Sequence, residues 1–312
     1  MKRIQAKVAR ALRRLSGVPA PAILPSSPPP LAREVITGEP ILPPELEREI
    51  FELAAASDAP PDYWMHQHVG DTVLVLPQVC RRAQSWIEPF IYERVSLLQN
   101  FRGEDPIPQF LATLDVRPAT FFATHVKHLY LAPTIPLAVA QRVLRACTGV
   151  VSFGCHHPYA LLAPLLAPLP LQRLLVSALA FPAAPAPADL PPWSASLTHL
   201  GLSLALPTPA LAHLPALTHL AVDYAALPDA EIPGTGVGAA LAALLGAGPR
   251  IRCLVLVTAA KTDYRWALQR LREDAFADAR LCLHLRPVMD GAWDEWSRRV
   301  PDMFAEAERR RA

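Results

Sequence analysis

Six short segments of the chain share one frame, with apolar residues at positions one, four and six. They are Val126/Leu129/Leu131, Val150/Phe153/Cys155, Leu171/Leu174/Val176, Leu197/Leu200/Leu202, Leu217/Leu220/Val222 and Ile251/Leu254/Leu256. Two contain the phrase Leu-Thr-His-Leu, at 197–200 and 217–220. The alternation at positions three to six is that of a strand, whose successive side chains point to opposite faces. The frames start 24, 21, 26, 20 and 34 residues apart, which predicts one strand per repeat and a connector between strands. A leucine-rich chain produces such a frame by chance, so the regular spacing carries the argument; the region 161–175 fits more than one register. An array of this kind presents a surface.

Between the frames, Leu137 to Cys147 and Val237 to Leu245 have the apolar spacing of helices, whereas Pro182 to Pro192 is too rich in proline to be anything but irregular. Upstream, Leu42-Pro43-Pro44-Glu45-Leu46 opens a helix with proline in the first turn, where its missing donor costs nothing. Glu45 there complements the positive end of the helix. Leu46, Ile50 and Leu53 form an apolar stripe with Phe51 beside it. An insert rich in Pro, Asp and His follows (56–70), after which the chain resumes as Leu74 to Arg82 and then Trp86 to Tyr92.

Both ends read differently. Lys2, Arg3, Lys7, Arg10, Arg13 and Arg14 surround Ile4, Val8, Leu12 and Leu15 in a basic amphipathic helix, which suits a mitochondrial transit peptide, a membrane-surface anchor or a solvated tail. Residues 19–30, rich in Pro and Ser, read as a linker. The last 23 residues, from Asp290 with Trp293 and Trp296 one turn apart, predict a cap that closes the array.

Composition adds bounds. The 312 residues are 52% apolar and 19% charged, far from the disordered regime, and a net charge of +2 shows no bias toward nucleic acid. The five cysteines are scattered without a C-x-x-C pair, which predicts neither a disulfide framework nor a zinc cluster. Every long apolar run is broken; the nearest to a membrane span, 161–175, contains Pro164, Pro168, Pro170 and Arg173.

Candidate chemistry is sparse. If positions four and six point inward, positions three and five face the open side of the strands, which nominates His128, Tyr130, Arg173, His199 and His219 as target-contacting residues. The same histidines fit two readings, a solvated sheet face or a row whose charge changes near neutral pH. No metal site is expected: Cys155-His156-His157 lacks a partner pair to complete four ligands. Gly234-Thr235-Gly236-Val237-Gly238-Ala239 has the look of a dinucleotide loop but follows no strand directly, and reads as a flexible loop entering a helix. No G-x-S-x-G elbow or H-E-x-x-H helix is present, and no base is placed beside Asp189 or Asp263, so neither catalytic residues nor a cofactor are expected.

Leu42-Pro43, Glu45, Leu46, Ile50-Phe51 and Leu53, followed by Val79-Cys80-Arg81-Arg82, resemble the F-box, the helical module that docks substrate receptors onto the Skp-type adaptor of cullin-RING ubiquitin ligases. Two features depart from it: the insert with Asp58, Pro60 and Pro61, and Ala83 where a tryptophan is usual, with Trp86 a turn later. The downstream frames resemble leucine-rich repeats in period, but the usual turn asparagine is replaced by Thr134, Pro158, Leu179, Ala205, Ala225 and Ala259. Together they resemble the F-box and leucine-rich-repeat-like proteins numerous in fungi.

The frames and the resemblance together imply an α/β fold: F-box-like helices over 41–94, an irregular right-handed leucine-rich-repeat-like solenoid or horseshoe over 95–288 and a helical cap over 289–312, after a basic, Pro-rich disordered tail over 1–40. It implies a non-enzymatic substrate receptor, cytoplasmic or nuclear, in which Leu42, Pro43, Leu46, Ile50, Phe51 and Leu53 bind the adaptor of a cullin-RING ligase and the repeat face binds a target protein. The alternative is a scaffold with no ligase connection, whose N-terminal helices only cap the repeats.

Overall fold

The computed structural model describes residues 42–57, 71–97, 106–132, 134–155, 157–177, 190–202, 211–224, 236–258 and 261–285, together with Phe304 and Glu308. The basic N-terminal helix, the linker over 19–30, most of the insert over 56–70, most of the Pro182 to Pro192 connector, His156, and Trp293 and Trp296 lie outside these residues.

Each of the six frames contains a strand, and among the described residues two more strands flank them. The eight are β1 (Arg94–Leu97), β2 (His128–Leu131), β3 (Ser152–Cys155), β4 (Arg173–Val176), β5 (His199–Leu202), β6 (His219–Asp223), β7 (Cys253–Thr258) and β8 (Leu281–Leu285). They form one parallel sheet in which every strand lies beside the one before it in sequence. A parallel pair needs a crossover connection between its strands, and the frame spacing supplies one each time. The register aligns the frames: Leu129, Phe153, Leu174, Leu200, Leu220 and Leu254 are paired in succession across β2 to β7. Positions one, four and six of all six frames are at most 2% exposed.

Helices supply the return path where proline permits. Two, α4 (Ile107–Val116) and α5 (Ala119–His125), join β1 to β2; α6 (Leu137–Ala146) and α7 (Tyr159–Leu166) follow β2 and β3; α8 (Val237–Ala247) and α9 (Lys261–Glu273) precede β7 and β8. Prolines 106, 118, 136 and 158 cap the starts of α4 to α7, positions that need no backbone donor. The inner sides of α6 to α8, with Val143 and Leu144, Leu162 and Leu166, and Leu241 and Leu244, join the core formed by the inward strand positions. Before β5 the described residues form a 3-10 turn, Pro192–Ala195, whose Trp193 joins the core.

A ladder of backbone carbonyls runs along the edge where the strands begin. The carbonyl at frame position two accepts two N–H groups of the next repeat: Lys127 from Val151 and Ser152, Val151 from Gln172 and Arg173, Gln172 from Thr198 and His199, Thr198 from Thr218 and His219, and Thr218 from Arg252 and Cys253. Both lone pairs of each carbonyl are thus engaged at one edge of the sheet.

Position five departs from expectation. Tyr130, Gly154, Leu175, Gly201, Ala221 and Val255 are buried instead of facing solvent. Large residues in this row lean over small neighbours: a Cβ added at Gly154 would lie 2.8 Å from the Tyr130 ring and 3.4 Å from Leu175.

Upstream of β1 three helices pack together: α1 (Pro44–Ser57), α2 (Asp71–Val75) and α3 (Arg81–Glu93), with a 3-10 turn at Leu76–Gln78. Their core is separate from that of the sheet and consists of Ala55, Val73 and Ile87, with Phe51, Leu76, Trp86 and Ile91 packed around it. Cys80 caps α3, its sulfur accepting from Ala83 N–H at 3.3 Å. Tyr92 at the end of α3 meets Phe121 and Phe122 of α5 edge-on at 5.0 and 6.2 Å, tying the helices to the repeats.

Candidate functional site

Frame position three makes a single row across the sheet. In register it runs Arg94, His128, Ser152, Arg173, His199, His219 and Cys253. Arg94 is exposed, Cys253 is buried, and the five between are half-buried. Four of the five residues nominated from sequence (His128, Arg173, His199 and His219) therefore belong to one row, while Tyr130 lies buried in the adjacent one. Arg94 escapes sequence reasoning because its strand carries an aromatic residue, Tyr92, and not an aliphatic one at position one.

The Leu-Thr-His-Leu phrases build the centre of the row. Thr198 Oγ1 donates to the Gln172 carbonyl at 3.0 Å and Thr218 Oγ1 to the Thr198 carbonyl at 3.2 Å, so each threonine ties its strand to the preceding one. Each threonine oxygen also lies 2.8 Å from Nδ1 of the histidine that follows it. Held in this way, the His199 and His219 rings stack with centroids 4.2 Å apart and planes 4° from parallel. Two residues distant in sequence meet the stack: the Phe304 ring lies edge-on to His199 and His219 at 5.1 and 5.3 Å, and Glu308 Oε1 accepts from His219 Nε2 at 2.8 Å.

Burial, followed by the stacked His219 and by Arg173, pushes His199 down to about 3. Burial, followed by Arg94 and Arg173, pushes His128 down to about 4. At neutral pH both rings are uncharged, and the Glu93 carboxylate 3.9 Å from His128 Nε2 is a polar neighbour and not an ion-pair partner. A histidine whose pKa is lowered by folding leaves the unfolded chain binding more protons as pH drops below about 6.5, so stability is present above that value and lost beneath it. Lowering the pH from 7 to 5 should therefore cost roughly 1 to 2 kcal/mol for each ring. Urea denaturation of the parent and of a His128→Gln/His199→Gln variant checks this; an equal pH dependence in the two proteins would refute it.

The second candidate surface lies on α1. Leu46, Ile50 and Leu53, spaced at four and three residues, are 48, 54 and 63% exposed. Phe51 and Ala55, on another side of the helix, face the three-helix core, where Phe51 meets Trp86 with ring centroids 6.0 Å apart. Glu47 on that side pairs with Arg82, whose guanidinium lies 5.4 Å from the Trp86 ring. The tryptophan one turn later than expected thus fills a place in this module's packing. Leu42 and Pro43, just before α1, are exposed.

Compared with family models, curated proteins and solved structures, the chain matches none.

Other candidate chemistry takes structural roles. Gly238 N–H donates to Asp274 Oδ2 at 2.6 Å, and a Cβ at Gly238 would lie 2.8 Å from that of Asp274. The start of α8 therefore receives a carboxylate of this chain, and its glycine permits the close approach. Burial pushes the Cys147 and Cys155 thiols up to about 12, far from nucleophilic thiolates. Among the described residues no three His, Cys, Asp or Glu side chains group as metal ligands, and no helix is long and apolar enough to cross a membrane.

Proposed function

We propose that this protein is an interaction module and a substrate receptor of an SCF-type ubiquitin ligase, its N-terminal helices binding a Skp-type adaptor and its leucine-rich-repeat-like face binding a target. The observation that carries this reading is the exposure of Leu46, Ile50 and Leu53 on α1. A module that served only to cap the repeats would turn its largest apolar side chains toward them; this one turns Phe51 and Ala55 inward and leaves the stripe in solvent. Exposed apolar clusters of this kind mark interaction sites. The receptor's contribution to ubiquitin transfer is proximity, by holding the target near a ligase that this chain does not contain.

Magnitudes constrain the interface. Covering the exposed parts of three such side chains is worth about 3 kcal/mol, whereas association at tens of micromolar corresponds to roughly −6 to −7 kcal/mol. The adaptor must therefore engage more than the stripe; Leu74, Val75 and Val79 of the same helical module are also exposed. Calorimetry of the full chain with a Skp-type adaptor should show association in this range, and Leu46→Glu/Ile50→Glu should weaken it at least tenfold. Because both positions are exposed, the melting temperature should stay unchanged. No association of the parent protein overturns the ligase reading and leaves the capping one.

A further inference from the structure

The geometry points to the strand face at His199 and His219 as a docking site for a helical segment that presents an aromatic ring and a carboxylate one turn apart, a site held in cis by Phe304 and Glu308. The inference deepens the proposed target face and is independent of the adaptor half of that reading. Phe304 and Glu308 both have helical backbone and lie four residues apart, the spacing at which side chains of one helix are neighbours. One covers the edges of both stacked imidazoles while the other takes the His219 Nε2 proton in a hydrogen bond.

The receiving surface is built for those two groups. Threonines 198 and 218 fix the imidazoles through Nδ1, which leaves Nε2 of His219 directed at the incoming carboxylate. Phe304 is 2% exposed, seated as deeply as the core leucines, although the described residue that precedes it in sequence is Leu285 on β8. Glu308 also borders an open cleft of about 780 Å³ lined by Arg250, Arg252 and Arg280 at the edge where β7 and β8 begin. Arg280 there is already paired with Asp278 at 2.7 Å, and Arg250 donates to the Pro215 carbonyl at 2.9 Å. The surroundings of the carboxylate are therefore basic, and a partner with an acidic group at the same position gains from the same field.

A tethered segment acts at an effective concentration near the millimolar range, so a partner of similar intrinsic affinity binds about tenfold to a hundredfold more weakly than it would to the uncovered face. The test uses the full chain, a full-length Phe304→Ala/Glu308→Gln variant and a fluorescent synthetic peptide of residues 298–312. By anisotropy the peptide should bind the variant at least tenfold more tightly than the parent. A peptide carrying the same two substitutions should lose at least tenfold of its affinity for the variant. Equal binding to both proteins, equal binding of both peptides, or no binding at 1 mM (an arbitrary ceiling of about −4 kcal/mol) overturns the proposal. Nuclear Overhauser contacts between the Phe304 ring and the His199 and His219 rings of the parent supply a check that does not depend on the variant folding, and their absence would equally overturn it. Adaptor calorimetry and peptide anisotropy fail separately, so loss of one half of the functional reading leaves the other intact.

Discussion

Truncation of Leu200 or Leu220 to alanine is expected to destabilise the protein by about 2 to 5 kcal/mol. Both side chains are 0% exposed, sit at position four of adjacent strands and face one another in register. Each truncation removes the transfer free energy of a buried isobutyl group and leaves a void that neighbouring strands, held by their own hydrogen bonds, cannot collapse to fill. The midpoint of urea denaturation should fall while its slope is preserved. Because the leucines are neighbours, the double variant should depart from additivity by at least about 0.5 kcal/mol. Midpoints equal to that of the parent would show that position four does not face the core.

Trp193→Ala should cost about 3 to 5 kcal/mol, more than most leucine truncations. Its indole is 1% exposed and lies edge-on to Tyr159 with ring centroids 6.2 Å apart. It also occupies the core beside a 3-10 turn, Pro192–Ala195, which carries it directly into β5. Trp193→Phe should recover most of the loss, since an aromatic ring can still meet Tyr159. Two equally stable substitutions would mean that the indole fills no space that the fold requires.

The strands of the six frames were legible because leucine-rich positions one, four and six are all buried in the same core. The two outer strands were not. In register with the others, β1 has the frame Tyr92/Val95/Leu97, with an aromatic residue in the first place, and β8 has Asp278/Leu281/Leu283, with a charge there. A pattern restricted to small aliphatic residues passes over both. Among the described residues β1 and β8 have a neighbouring strand on one side only, and their first positions make other contacts: Tyr92 meets Phe121 and Phe122, and Asp278 binds Arg280.

The candidate sites show a different limit. Periodicity finds the apolar residues of α1 but cannot decide which side a neighbour covers, because Phe51 with Ala55 and the Leu46 stripe are both apolar. Burial at position five depends on which residue stands on the next strand, as with Tyr130 over Gly154, and the alternation of one strand does not contain that information. The contact of Glu308 with His219 joins residues 89 apart in sequence. No local rule specifies it, although Leu-Thr-His-Leu marked both histidines.

The carbonyl ladder at frame position two makes strand spacing independent of what lies between the strands. Successive frames from Val126 to Ile251 start anywhere from 20 to 34 residues apart, yet the same two N–H groups return to the same acceptor each time. Connector length is thereby uncoupled from sheet hydrogen bonding: residues inserted outside the core-filling parts of the connectors, such as Trp193 and the inner sides of α6 to α8, add only the cost of loop closure, which grows slowly with length. A family built on this plan can diversify its outer rim freely while the order of side chains across its strand face stays fixed.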